Sequence, residues 1–213
     1  KGHPGRYPAA KHRQTLARFV TERGALLKSL AEGRSEATED VERLLSEVRE
    51  ILLDNPLLDF DKLLVVRRNF GGNGARQVTG GDAGFVPANY LNQAAMARRG
   101  WDNEIALLSN LRGKPRLERL FRPVGDPILR DVRLDFPAER MLFSSIDGQG
   151  RWAIFEIRSD GSGLTQLTPD GYPDLDFFDA CYLPDGRIIL CSTARYIGLP
   201  CLEGQGQVAN LYL

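Results

Sequence analysis

The chain has 213 residues, and its 28 lysine and arginine side chains are balanced by 28 aspartates and glutamates. A formal net charge of zero excludes the broad basic field that draws proteins to nucleic acid or to anionic lipid. No apolar run reaches the roughly 18–20 residues of a membrane span. We therefore expect neither a nucleic-acid partner nor a membrane span.

The first predicted elements are two helices. Residues 1–12 are rich in glycine, proline and lysine, and we expect them to form a poorly ordered lead-in. From about Gln14 to Ala31, apolar residues recur at helical spacing, which predicts a helix. A second stripe of this kind runs from Val41 to Leu52, and Ser35 or Thr38 is a suitable N-cap for its helix.

These two helices predict an α-helical hairpin that occupies residues 1–56. The second helix ends at Asn55, because the residue before a proline avoids the helical region. Two roles are open for the hairpin: an arm that binds a partner, or a cover for its own β-domain. The second role is favoured, since two short stripes without heptads cannot sustain a coiled coil.

A glycine-rich segment follows the first predicted strand, Leu63–Val66, which is apolar and β-branched. Six glycines lie between Phe70 and Gly84, but the spacing of a phosphate-binding loop or of a dinucleotide fingerprint is absent. We interpret the segment as a long surface loop whose glycines supply positive φ angles. The stretch Ala88–Arg99 is predicted to be a short helix or irregular.

The C-terminal half contains an internal repeat with an offset of 47 residues. The matching residues, with no gap between them, are Ala106 and Ala153, Leu117 and Leu164, Leu120 and Leu167, Pro137 and Pro184, Arg140 and Arg187, and Ser145 and Ser192. A period of roughly 40–50 residues in a sequence of short strands and turns is typical of a β-propeller blade.

Each repeat is predicted to form one four-stranded blade in which consecutive strands pair antiparallel. The first repeat has predicted strands at Ile105–Asn110, Leu117–Phe121, Asp131–Phe136 and Met141–Ser144. The second has them at Ala153–Ile157, Leu164–Leu167, Ala180–Leu183 and Arg187–Cys191. The Asp185-Gly186 pair before the last of these is a strong hairpin signal.

The predicted fold is therefore mainly β, with an N-terminal α-helical hairpin and a partial β-propeller over residues 57–213. The propeller part has about two four-stranded blades plus flanking strands. Residues 208–213 match the opening strand of the second repeat, and we expect the chain to be a fragment of a larger protein. A ring normally needs at least four blades, so the remaining blades are expected as partners.

Candidate chemistry is concentrated in one loop. Cys181 and Cys191 lie in predicted strands and are interpreted as structural thiols. Cys201 lies in Ala194–Gln207, a segment that interrupts the repeat and is expected to project from a propeller face. Cys201 is the candidate metal ligand or disulfide partner. The cysteine spacing fits neither CxxC metal knuckles nor the CxxCH motif of haem attachment.

Two other groups carry weaker signals. Asp174, Asp176 and Asp179 have the alternation of calcium ligands, but they lack the glycine and the distal glutamate of an EF-hand loop. We interpret them as solvated or turn-capping acids. The only histidines, His3 and His12, precede the predicted β-domain, so no Ser–His–Asp or Cys–His arrangement can be assembled within it and no catalytic residue is assigned.

Aromatic side chains offer a further hypothesis, a propeller that binds a glycan or a peptide. Tyr172 and Tyr196 could supply stacking surfaces in this hypothesis. Trp152 starts a core strand, and we expect it to be packed rather than available.

Two family resemblances bear on the fold. The segments Gly163-Leu164-Thr165-Gln166-Leu167-Thr168 and Leu183-Pro184-Asp185-Gly186-Arg187-Ile188 resemble the TolB-type propeller repeat, with Leu183 in place of the usual serine. A longer resemblance covers roughly Leu57 to Leu213 and is to the propeller-containing front part of proteins related to the hydrazine synthase alpha subunit. It rests on Asp59-Phe60-Asp61-Lys62-Leu63-Leu64, Asn89-Tyr90-Leu91, Asp102-Asn103-Glu104-Ile105-Ala106, Asp179 to Arg187, Gly198-Leu199-Pro200-Cys201 and Asn210-Leu211-Tyr212.

The second resemblance implies a periplasmic or otherwise extracytoplasmic protein in which later domains carry c-type haem. No CxxCH occurs in this chain, so it implies the fold and not the catalysis, and no cofactor is expected within the segment itself. Two functions stay open: a propeller scaffold that binds a protein or small ligand, or the propeller part of a haem-dependent redox enzyme. The residues do not decide whether the parent protein is an enzyme.

Overall fold

The computed structural model describes residues 9–70, 92–200, 204 and 206–213. The glycine-rich segment predicted to be a surface loop lies outside these residues. The chain divides into two compact units. The first contains the residues up to Leu63 together with Asn110–Pro115, and the second contains Leu64–Ser109 and Arg116–Leu213.

The first unit contains the α-helical hairpin. Helix α1 spans Ala9–Ala31, helix α2 spans Ser35–Leu53, and a short 3-10 helix follows at Pro56–Leu58. Within the part of the chain that the structure describes, neither helix is both long and apolar enough to span a bilayer.

Both predicted helix starts need correction. Helix α1 begins at Ala9, so part of the predicted lead-in is helical. His12 is buried, and its Nε2 lies 3.2 Å from Oδ2 of Asp54. This contact holds the first turns of α1 against the end of α2. Neither Ser35 nor Thr38 caps α2. Gly33, at φ 68°, ends the first helix, so Arg34 occupies the N-cap position and has no side-chain hydrogen bond there.

Ten strands follow the helices in the described residues. They are β1 (Leu63–Phe70), β2 (Trp101–Ser109), β3 (Arg116–Phe121), β4 (Leu129–Leu134), β5 (Arg140–Ile146), β6 (Trp152–Arg158), β7 (Thr165–Gln166), β8 (Phe177–Tyr182), β9 (Ile188–Ser192) and β10 (Asn210–Tyr212). Before β2, a short 3-10 helix at Gln93–Ala95 lies in an otherwise irregular stretch. All eight strands predicted in the two repeats are present, with ends shifted by a few residues.

The strands form three sheets, and the second unit is mainly β. The sheet orders are β1-β2-β3, β4-β5-β6-β7 and β10-β9-β8. The pairing registers that the structure gives are antiparallel throughout.

The prediction that each repeat forms its own sheet is wrong. In the four-stranded sheet, β4 and β5 come from the first repeat, whereas β6 and β7 come from the second. Strand β5 pairs with β6 along its whole length, from Arg140 opposite Arg158 to Ile146 opposite Trp152. The reason is the short turn 147–151, in which the amide of Asp147 donates to the carbonyl oxygen of Arg151 at 2.8 Å and so closes a tight hairpin.

The repeat is also not gapless. Asp131 in β4 and Asp179 in β8 both have φ 53° and both lie in a β-bulge, yet they are 48 residues apart. The following turns keep this offset, since Ala138 at φ 59° occupies the place of Gly186 at φ 84°. Glu139 is then the extra residue that returns the chain to an offset of 47.

The core shows how the sheets stack. On β5, Met141 and Phe143 join a buried cluster with Ile105 of β2, whereas Leu142, between them, joins a cluster with Ala180 of β8. Successive side chains of a strand point to opposite faces. The sheet β4–β7 therefore has apolar contacts with one neighbouring sheet on each face.

A third cluster draws on all three sheets. It contains Met96, Trp101, Ile128, Ile146, Trp152 and Phe178, all buried. The Trp152 and Phe178 rings meet edge to face with centroids 6.5 Å apart, in the range of favourable aromatic pairs. The expectation that Trp152 is packed is confirmed.

Gly161 is required by a close approach between sheets. It lies in the turn between β6 and β7 at φ +85°, and a Cβ atom there would overlap the carbonyl oxygen of Leu120. We expect Gly161→Ala to lower the free energy of unfolding by at least about 1 kcal/mol more than Gly150→Ala. Gly150 is a matched control, because it has φ +82° and open space around it. Chemical denaturation followed by circular dichroism measures both, and equal losses would contradict the close approach.

Candidate functional site

The candidate site is formed by the two bulged strands, β4 and β8, which are the first strands of their sheets and pack against each other. A bulge places two residues opposite one, and it re-aims side chains. Aspartate is one of the few residues that adopt positive φ readily, which explains why Asp131 and Asp179 occupy this position. The amide of Asp179 is held by donating to Oγ of the buried Ser144 at 2.9 Å.

Each of the two bulge aspartates lies beside one arginine. Oδ2 of Asp131 accepts a 2.7 Å hydrogen bond from Nε2 of Gln93, and its Oδ1 lies 3.8 Å from Nε of Arg130. Oδ1 of Asp179 lies 3.7 Å from Nη2 of Arg133, and both of these side chains are about half exposed. The Arg133–Asp179 pair links β4 to β8 and leaves both charges accessible to a ligand or partner.

A cleft of about 430 Å³ adjoins the first bulge, lined by Leu64, Val66, Arg68, Arg130, Asp131, Val132 and Arg133. Arg68 is partly buried in it, donates to the carbonyl oxygen of Leu129 and lies over the Trp101 ring, 5.7 Å from its centroid. Burial, and then the charge of Arg130, hold the pKa of Arg68 below its ordinary value, with Asp131 acting in the opposite direction. Positive charge is therefore crowded on this side of the site.

The thiol of Cys191 lies near the same aspartates. Burial, and then the charges of Asp179 and Asp131, raise the pKa of Cys191 above its ordinary value of 9.0. The thiolate is the reactive form of cysteine, so Cys191 stays protonated and unreactive near neutral pH. It packs against the cluster that contains Trp152, as expected for a structural thiol.

The candidate metal ligand Cys201 lies outside the described residues, so its prediction stays untested. The loop that carries it is fastened at its ends: the amide of Val208 donates to the carbonyl oxygen of Ile197 at 2.8 Å, and that of Leu199 to Gly206 at 3.0 Å. In the part of the chain that the structure describes, no group of three or more His, Cys, Asp or Glu side chains has the arrangement of a metal site.

The Asp174–Asp179 run does not act as one cluster. Asp176 is buried, and its Oδ1 accepts a 2.9 Å bond from the amide of Trp152 while Oδ2 pairs with Nη2 of Arg98 at 2.8 Å. Asp176 thus fastens the start of β6, which agrees with its interpretation as a capping acid. Tyr172 and Tyr196 are more than half exposed and remain available for stacking.

Sequence reasoning missed the bulge aspartates and the arginines beside them. Asp131 and Asp179 do not coincide at an offset of 47, so the gapless comparison concealed their equivalence. Allowing one inserted residue in the turn at Glu139 would have found it. No protein-family model matches the chain, and no curated protein matches it.

Proposed function

We propose that residues 57–213 are a section of a β-propeller that serves as a scaffold and binding module in a larger exported protein related to the hydrazine synthase alpha subunit. The observation that carries the proposal is that consecutive strands pair into short antiparallel sheets, β1–β3, β4–β7 and β8–β10, and that the middle sheet packs against a neighbour on each face. The pairing of β5 with β6 joins strands of both repeats in one sheet, which counts against blades that coincide with the repeats, so the proposed blades are displaced from the repeats by two strands. A radial array of short antiparallel sheets is the architecture of a propeller.

The stacking of the sheets supports the same architecture. The sheet β4–β7 has buried apolar residues on both faces, as a blade inside a ring does. Strands β4 and β8 pack against each other at the start of their sheets, as innermost strands of adjacent blades would. In this arrangement the Arg133–Asp179 pair, which joins the two strands, would lie beside the central channel of the ring.

The proposal predicts that the 213-residue chain exposes apolar surface that further blades would cover. Leu211, 68% exposed, lies on β10, which is an edge strand of its sheet, and unpaired edges promote association between chains. We expect the chain to bind the dye ANS and to self-associate, and we expect Leu211→Lys to reduce the self-association because a charge on an edge strand opposes pairing. Sedimentation velocity and ANS fluorescence measure both.

Val124→Lys is the matched control. Val124 is 98% exposed and lies between β3 and β4, outside any strand, so this variant should associate as the wild type does. A monodisperse wild-type monomer that binds no ANS would contradict the proposal that further sheets cover this unit.

A further inference from the structure

A second charged cleft lies on the sheet β1–β3. Its centre is Glu104 of β2, whose side chain is only 5% exposed. Nη1 of Arg67, on β1, donates to Oε1 of Glu104 at 2.7 Å, and Nε of Arg119, on β3, donates to Oε2 at 2.6 Å. Arg122, just beyond β3, brings Nη1 to 3.8 Å from the same Oε2. One buried carboxylate thus contacts arginines from three neighbouring segments.

The charges in this cleft do not balance. The cleft, of about 290 Å³, is lined by Arg67, Arg68, Asp102, Asn103, Glu104, Arg119 and Arg122. Three of these arginines, Arg67, Arg119 and Arg122, contact Glu104 or Asp102, which leaves a surplus of one positive charge. The guanidinium of Arg68 lies on the opposite face of the sheet, over the Trp101 ring. Asp102 is already engaged, since its Oδ1 pairs with Nη2 of Arg122 at 2.6 Å.

The arginines retain free binding capacity. A guanidinium has five N–H donors in a planar fork, and each of Arg67 and Arg119 donates one hydrogen bond to Glu104. Their side chains are about 60% exposed, so other donors of the fork face the cleft and the solvent. Planar guanidinium forks match the paired oxygens of carboxylate, phosphate and sulfate groups.

Glu104 keeps these forks in place. The hydrogen bond from Arg119 lowers the pKa of Glu104 below its ordinary value, against the opposing effect of burial, and the charges of Arg119, Arg67 and Arg122 lower it further. Glu104 is therefore ionised at neutral pH. A buried, ionised carboxylate fixes the guanidinium groups before any ligand arrives, and such preorganisation lowers the cost of binding.

We propose that this cleft binds the oxyanion group of a ligand, with Arg67, Arg119 and Arg122 as the binding residues and Glu104 as their positioning residue. The shared chemistry is a compact anion with two or more equivalent oxygens, from a carboxylate, a phosphate ester or a sulfate. The site does not depend on the propeller proposal, because it is complete within one sheet and the residue that follows it.

Equilibrium dialysis of the full 213-residue chain tests the site, with radiolabelled inorganic phosphate, sulfate and malonate as separate probes at constant ionic strength in chloride. We expect at least one probe to saturate near one anion per chain, and the probe that does so tells a phosphate or sulfate source from a carboxylate source. Arg67→Gln and Arg122→Gln should each weaken this binding at least tenfold. Arg116→Gln, on β3 and outside the cleft, loses the same charge and should bind as the wild type does.

Arg119→Lys separates fork recognition from simple charge, because lysine keeps the charge and loses the planar fork. We expect this variant to keep its circular dichroism spectrum and to lose binding. Absence of saturable binding of all three anions to the wild type would overturn the proposal. So would an equal loss of affinity in Arg116→Gln, or unchanged affinity in both Arg119→Lys and Arg122→Gln.

Discussion

Trp152→Ala is expected to lower the free energy of unfolding of the β unit by about 3–5 kcal/mol, the range for removing a large aromatic side chain from a core. Trp152 is fully buried and shares its cluster with residues of all three sheets, so the cavity would lie where the sheets meet. Chemical denaturation followed by far-ultraviolet circular dichroism measures the loss without relying on tryptophan fluorescence.

Trp152→Phe is the informative companion. Phenylalanine keeps an aromatic contact with Phe178 and removes the indole Nε1, a buried donor without a hydrogen-bond partner in the described residues. Since an unsatisfied buried donor costs about 1–3 kcal/mol, this variant should lose clearly less stability than the alanine variant. Equal losses in the two variants would show that the ring contact contributes nothing, and the account of the shared cluster would then be wrong.

Arg151→Met is expected to cost about 3–5 kcal/mol, because it leaves a buried carboxylate without its countercharge. Nη2 of Arg151 lies 2.6 Å from Oδ2 of Asp147, and the two side chains are only 7% and 3% exposed. Asp147 also accepts the amides of Gln149 and Arg151, both at 2.9 Å, so its charge closes the turn between β5 and β6. Denaturation at neutral pH measures the loss.

A double variant tests the cause of this loss. Asp147→Asn with Arg151→Met leaves no lone charge and keeps an acceptor for the turn amides, so it should recover part of the stability. Arg187→Met is the matched control, since Arg187 also pairs with an aspartate, Asp185, in the turn between β8 and β9, with both side chains more than half exposed. We expect its unfolding midpoint to be almost unchanged. If Arg187→Met cost as much as Arg151→Met, burial would not be the reason.

The sequence predicted the positions of the helices and strands better than it predicted which strands pair. Alternating and helical apolar patterns depend only on local spacing, and they located both helices and the strands of both repeats. A repeat, however, defines a period and not the point at which one sheet ends. The tight turn at Asp147–Arg151, rather than the period, decides that β5 pairs with β6. The side chain of Asp147 closes this hairpin by accepting the amide of Arg151.

The two charged sites could not be predicted from local sequence patterns. Arg67, Glu104 and Arg119 are far apart in sequence and meet only because β1, β2 and β3 are neighbours in one sheet. Asp131 and Asp179 were hidden for another reason: their offset is 48 residues, and Glu139 in the next turn returns the repeat to an offset of 47. Gly186 is a residue type that indicates a turn with positive φ, whereas Ala138, at the equivalent position and φ 59°, is not.

Electron cryomicroscopy of the full-length native protein tests the propeller proposal most directly. The proposal predicts that β1–β3, β4–β7 and β8–β10 are successive blades around one axis, with β4 and β8 innermost and a further strand completing the sheet beside β10. The Arg133–Asp179 pair should then line the central channel. A structure in which no further sheet covers β8–β10, or in which β4 and β8 lie on the outside, would contradict it.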